Sequence, residues 1–163
     1  MTDKHTHFFG LLAWLAVTFI AAAIGSAASV NAPFFYTQVA KPAWAPPGYV
    51  FGPAWTVLYI LMGLAAWLVW RVKKFKSACA ALSLYLIQLV FNALWSWLFF
   101  VWNLGLLSFI DILVLLVLIL ITTFYFWRIK PLAGALLMPY LIWVIFAAFL
   151  NFSLWRLNPH ILM

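Results

Sequence analysis

Polar side chains are rare within the long apolar runs of this sequence, so the few found there are the groups able to do chemistry. They are Gln88, Asn92, Ser96, Asp111 and Asn151. Amides and hydroxyls donate and accept hydrogen bonds without carrying charge, so the chemistry they offer is recognition. At helical spacing Gln88, Asn92, Trp95 and Phe99 share one stripe. Trp143, Ala147, Leu150 and Asn151 share a second, and Trp55, Tyr59 and Met62 a third. Eleven tryptophans stand among 163 residues. Trp70, Trp102, Trp127 and Trp155 fall at the ends of apolar runs, where indoles form an interfacial belt. Trp44, Trp55, Trp95, Trp97 and Trp143 are not explained by a belt, and indoles gathered with few charges suit a flat, aromatic, amphipathic ligand.

Other chemistries find little support. His5, His7 and His160 lie near the chain ends, and Cys79 is the one cysteine, so no metal site and no disulfide is expected. No phosphate-binding loop, HExxH, GxSxG or Ser/His/Asp arrangement is present. A conventional enzyme is therefore not expected, and no cofactor is required. Asp111 has two readings, a proton-relay group or a structural carboxyl hydrogen-bonded to backbone or hydroxyls. One lone acid makes a poor proton pathway, which favours the second.

The elements that must position these groups follow from composition. The chain is 69% hydrophobic and 7% charged, far below the roughly 25% charged residues of a soluble domain, so lipid is its solvent. The net charge of +7 rests on nine basic residues placed mainly between apolar runs, which argues for membrane orientation and against nucleic acid. Five apolar segments predict an all-α integral membrane protein, a five-transmembrane-helix bundle forming a single domain over 1–163. Their approximate spans are 8–30, 47–70, 77–101, 104–127 and 131–155. The first is too long for the roughly 7–15-residue core of a signal peptide and is read as a span.

Arg71, Lys73, Lys74, Lys76, Arg128, Lys130 and Lys4 (with Asp3) collect on one side. Lys41 and Arg156 lie on the other, so the N-terminus is expected in the cytoplasm. Segment 31–46, rich in Pro and aromatic residues, reads as a stiff lid. Pro47 suits the first turn of the second span, and Pro53 lies where it would kink that helix. Counted from the lid side, Trp55, Asn92, Asp111 and Ala147 lie roughly 10–14 Å deep, in one layer. That layer is either a pocket or hydrogen-bonding glue between helices. The small-residue stripe Ala21, Gly25, Ser29 permits close helix approach within the bundle or in a homodimer.

Three ordered blocks carry a family resemblance. Lys41-Pro42-Ala43-Trp44-Ala45-Pro46-Pro47 is followed by Val50-Phe51-Gly52-Pro53-Ala54-Trp55-Thr56-Val57-Leu58-Tyr59. Gln88 through Ser96, and Pro139-Tyr140-Leu141-Ile142-Trp143 running through Ala147 to Asn151, complete the set. Together they resemble the TspO/MBR family, the tryptophan-rich sensory proteins and the mitochondrial translocator protein, also known as the peripheral-type benzodiazepine receptor. The resemblance implies a pocket near the first loop that binds protoporphyrin IX or other tetrapyrroles, haem included. It also implies isoquinoline carboxamide and benzodiazepine-type synthetic ligands. Family pocket positions match Ser26, Tyr36, Trp55, Tyr59, Asn92, Trp95, Trp143 and Ala147, and Trp44, Leu150 and Asn151 join them as expected ligand-binding residues.

The expected function is a sensor or carrier of tetrapyrroles in a bacterial cell membrane. The alternatives are light-dependent porphyrin degradation through Trp55 and Trp143, and porphyrin transport. Phe152 stands where the cholesterol motif of mammalian members has Tyr, which argues against sterol recognition.

Overall fold

The computed structural model describes residues 2–163, with side chains at 5–72 and 78–163. The side chains of Asp3, Lys4, Lys73, Lys74 and Lys76, which carry much of the charge asymmetry, lie outside the described residues. Five long helices are apolar enough to cross a membrane, and the chain is an integral, multi-pass membrane protein. In chain order the elements are α1 (Thr2–Ala28), α2 (Ala32–Gln38), α3 (Phe51–Ser77), α4 (Cys79–Ser96), α5 (Gly105–Ile129) and α6 (Pro131–Leu157). A 3-10 turn, Gly48–Val50, leads into α3, and a π-helical turn, Trp97–Val101, extends α4.

Three local expectations are corrected. The segment 31–46 is not all loop. It folds a short helix, α2, started by Pro33, whose missing N–H needs no partner in a first turn. Pro47 precedes the 3-10 turn rather than opening the helix. Pro53 then falls in the first turn of α3, where no intrahelical bond is lost and no kink is required. The proline inside a helix is Pro139 of α6, where the missing N–H removes a bond to the Ala135 carbonyl.

Helix α1 packs on α3 and α4, α5 packs between α4 and α6, and α3 also meets α6. In the half of the bundle away from the lid, small residues let the helices close. Ala65, Ala66, Ala81 and Ala133 are buried there among Met62, Val69, Leu82, Tyr85, Phe126 and Leu137. At Gly63 an added Cβ would stand 3.3 Å from the Leu15 Cα, and at Gly134 2.9 Å from the Trp127 Cα, so both sites need glycine for close approach. The Tyr85 hydroxyl donates to Thr18 Oγ1 (2.6 Å), whose own proton goes to the Trp14 carbonyl (2.7 Å).

The interfacial belt is thinner than expected. Trp102 and Trp127 are exposed, but Trp70 covers Gly10, and Trp155 lies over Gly105 and Phe109.

Beneath the lid a second core joins Val39, Phe99, Leu150, Leu154 and Leu162. Asn158 ties this region together. Its Oδ1 accepts the Ala40 N–H (2.7 Å), and its Nδ2 donates to the carbonyls of Ala40 (2.9 Å) and Leu154 (2.8 Å).

Candidate ligand cavity

A cavity of about 710 Å³ opens in the lid half, within the usual range of roughly 300–1,000 Å³ for small-molecule sites. Helix α1 contributes Ser26, α2 Tyr36, α3 Trp55 and Tyr59, and α4 Asn92 and Trp95. Helix α6 contributes Trp143, Ala147, Leu150 and Asn151. The three stripes read from the sequence thus face one space, except for residues at their ends. Gln88 lies behind the wall, and Met62 is buried in the opposite core.

Trp44 is not brought to the cavity. It is 50% exposed and meets Phe146 edge-on, with ring centroids 5.8 Å apart. Asp111 also lies outside the wall, although Ile112 and Leu115 of its helix line it. Its Oδ2 is buried with no hydrogen-bond partner.

Phe51 and Phe100, with Ala22 and Ala23, line the cavity and were not singled out by sequence. Apolar residues carry no mark that separates a cavity wall from a packed core. Of the stripe Ala21, Gly25, Ser29, it is Gly25 whose close approach within the bundle is seen. Gly25 faces Ser96 and the Ala93 backbone, and Gly25 and Ser29 also line the cavity.

Aromatic rings shape the interior. Trp55 stacks on Tyr59 (5.5 Å, 28°) and meets Trp143 edge-to-face (6.5 Å, 84°). The two indoles therefore form a corner rather than two parallel walls around a ring. Trp95 stacks on Phe99 (5.1 Å, 12°), and Phe35 of α2 packs against Phe99 and Phe100, which fastens the lid helix to the π-helical turn.

Both pocket and glue are present. Tyr59 donates to Asn92 Oδ1 (2.6 Å), Asn92 Nδ2 donates to the Tyr140 hydroxyl (3.1 Å), and Tyr140 donates to Gln88 Oε1 (2.8 Å). This chain joins α3, α4 and α6 at the cavity floor. Trp95 Nε1 donates to Asn151 Oδ1 (2.8 Å), joining α4 and α6 nearer the lid. Two buried donors of the wall, Asn151 Nδ2 and Trp143 Nε1, have no acceptor.

No Asp, Glu, Lys, Arg or His lines the space among the described residues. The nearby cation Lys41 is held within the lid. Its Nζ donates to the Tyr36 and Val39 carbonyls (2.7 and 3.2 Å) and sits 4.9 Å from the Tyr36 ring centre. The Tyr36 hydroxyl donates to the Pro46 carbonyl (2.8 Å), and burial pushes its phenol above the usual tyrosine value, so it remains a neutral donor near pH 7.

Fold and cavity together define a class, a multi-pass helical membrane protein with a charge-free aromatic chamber beneath a pinned lid. The model of the TspO/MBR family matches residues 12–156, and the chain belongs to that family. It is 39% identical over 142 residues to the tryptophan-rich protein TspO of Chlorobaculum tepidum, covering 84% of this chain and 90% of that one. It is 37% identical over 155 residues to the protein CrtK of Rhodobacter capsulatus (91% and 94% covered). It is 37% identical over 126 residues to the translocator protein of Homo sapiens (76% and 75% covered).

Proposed function

We propose that this chain is a membrane sensor or carrier that holds a tetrapyrrole of the protoporphyrin type in the chamber beneath the lid. The observation that carries this is the corner made by Trp55 and Trp143 in a chamber without charged side chains. A flat macrocycle gains apolar burial there and an aromatic face to stack on. Family membership and the relatives' names, tryptophan-rich, TspO and translocator, support the same reading. No metal ligand is needed, so metal-free protoporphyrin should bind as well as haem. The excess of basic residues in the joints on the N-terminal side supports an N-terminus in the cytoplasm of a bacterial cell. A C-terminal fusion to a reporter active only in the cytoplasm should then be silent.

One observation favours a second reading, light-driven degradation. Trp55 and Trp143 are in ring contact, so when one indole gives an electron to a photoexcited porphyrin, which is thereby reduced, the hole left behind can pass to the other indole.

The test measures quenching of porphyrin fluorescence and photobleaching on purified wild type, Trp55→Phe, Trp143→Phe and Trp14→Phe. Trp14 lies in the closed half against Tyr85 and serves as the control. The cavity reading predicts that only the first two changes alter quenching. Equal behaviour of all three would place the ligand elsewhere.

A further inference from the structure

Outside the chamber, the surface of the bundle carries a groove between α3 and α6. Val50, Ala54, Val57 and Leu58, from α3 and the turn before it, form one wall. Pro139 and Trp143 of α6 form the other. Tyr49, 80% exposed, stands at the lid end. Ala54, midway along the α3 wall, is the small side chain that leaves the groove open.

What fills this groove is set by where it lies and how long it is. No charged side chain lines it, so water finds few partners there. It opens on the outer face of a membrane span, where lipid is already the neighbour. From Val50 to Leu58 the wall rises about 12 Å, close to the roughly 15 Å of hydrocarbon in one leaflet. A helix of a second copy would run the whole bilayer, whereas the groove ends at Leu58 and Pro139. The length matches one acyl chain of a lid-side lipid, with its headgroup level with the Tyr49 hydroxyl.

Trp143 lines the chamber as well as the groove. Its ring is therefore a partition between the two spaces. Phe51, Trp55 and Phe146 brace it through ring contacts (5.9, 6.5 and 5.6 Å between centroids). The groove is walled near it by Ala54, Val57 and Pro139, none of them aromatic. An empty groove forfeits dispersion contacts on that side of the indole, and a chain lying in it restores them.

We propose that the groove between α3 and α6 is a lipid site that seats one straight acyl chain of a lid-side lipid against the outer side of Trp143. The seated chain holds the indole toward the chamber, so the chamber's affinity for its ligand follows the chains of the surrounding bilayer. This coupling rests on the reading that the chamber holds a porphyrin; the lipid site does not.

The experiment uses the full chain, one copy per nanodisc, in phosphatidylcholine whose chains are brominated at mid-length and so quench tryptophan fluorescence on contact. Val57→Phe fills the groove from an exposed position, and Val90→Phe makes the same change on the exposed face of α4. Val57→Phe should lower the quenching and Val90→Phe should not. The drop caused by Val57→Phe should vanish in a Trp143→Phe background, which assigns it to that indole. Equal behaviour of the two Val variants, or a drop that persists without Trp143, overturns the lipid site. Weaker quenching of Trp143 in discs holding two copies would give the groove to a second copy and overturn it too. Protoporphyrin affinity is then measured in straight-chain and in methyl-branched phosphatidylcholine. Branched chains, too wide for the groove, should weaken binding to wild type by about two- to fivefold, the scale of a few dispersion contacts, and leave Val57→Phe unchanged. Equal affinity of wild type in both lipids overturns the coupling. Quenching as expected with no porphyrin bound in any disc upholds the lipid site and overturns the chamber reading instead.

Discussion

The two halves of this bundle are built from similar apolar residues, yet one is solid and the other hollow. Away from the lid, Ala65, Ala66, Ala81 and Ala133 bring helices close, and Gly63 and Gly134 have another residue's backbone within 3.3 Å of where a Cβ would stand. Under the lid, Trp55, Tyr59, Trp95, Phe99 and Trp143 stand between the helices. There an added Cβ at Gly52 would meet nothing within 4 Å, and at Gly25 only ordinary contacts. Flat, stiff rings that lean on one another, stacked or edge-to-face, leave space that aliphatic chains would fill. Side-chain shape, more than hydrophobicity, decides where a membrane bundle closes.

Substitutions can break this contrast, the most severe being an added side chain in the solid half. Gly134→Val forces the Trp127 backbone away and should cost on the order of 3 kcal/mol, seen as a large fall in the unfolding midpoint in detergent. Ala147→Thr adds comparable bulk to the hollow half. It should leave that midpoint nearly unchanged while weakening binding of bulky porphyrins; equal destabilisation would mean that the chamber is not open space.

Hydrogen bonds should show the same asymmetry. Thr18→Val strands the Tyr85 hydroxyl in a sealed core, at a cost of about 1–3 kcal/mol. Asn92→Leu frees a Tyr59 hydroxyl that borders the chamber, where water can take it up, so the loss should be nearer 1 kcal/mol. Chemical denaturation of both variants measures the difference, and a costlier Asn92 change would contradict a hydrated chamber.

Within the hollow half, Trp143→Phe keeps a ring and should lower porphyrin affinity by only about 0.5–1.5 kcal/mol. It should suppress photobleaching far more, because Phe is much harder to oxidise than an indole. A variant that bleaches at the wild-type rate removes Trp143 from any photochemistry. The smallest effect is expected at the lid. The Lys41 ammonium already serves two lid carbonyls, so Lys41→Met should change affinity for a dicarboxylate porphyrin by less than about 0.5 kcal/mol. A loss of tenfold or more would show that this cation reaches the ligand.

Much of this arrangement could be read before the fold was in hand, for physical reasons. Lipid forces each long apolar run into a helix, so the five spans are legible from length alone. Asn92, Tyr59 and Asn151 stand out because hydrocarbon penalises polar groups, which places them on inward faces. Trp44 misled because its neighbours in sequence are cavity-side residues, while the turn at 41–47 carries its ring outward to Phe146. Helix α2 was hidden by the prolines around it, although Pro33 is what allows it to start. The π-helical turn has no sequence mark at all; it is recognised from the Trp102 N–H reaching back five residues to Trp97. The orphaned Asn151 Nδ2 was equally out of reach, since it depends on which atom of the amide Trp95 selects.

The bonds between Asn158 and Ala40 have a consequence for how the protein is made. They join positions 118 residues apart, and Asn158 follows every span in the chain. During synthesis the lid segment leaves the ribosome early; Phe35 can dock once the π-helical turn after α4 is made, but the Ala40 end must wait until α6 has been threaded into the bilayer. The chamber is thus roofed last, by the tail, and a chain truncated before Asn158 should insert all five spans yet leave the Val39–Lys41 amides open to hydrogen exchange.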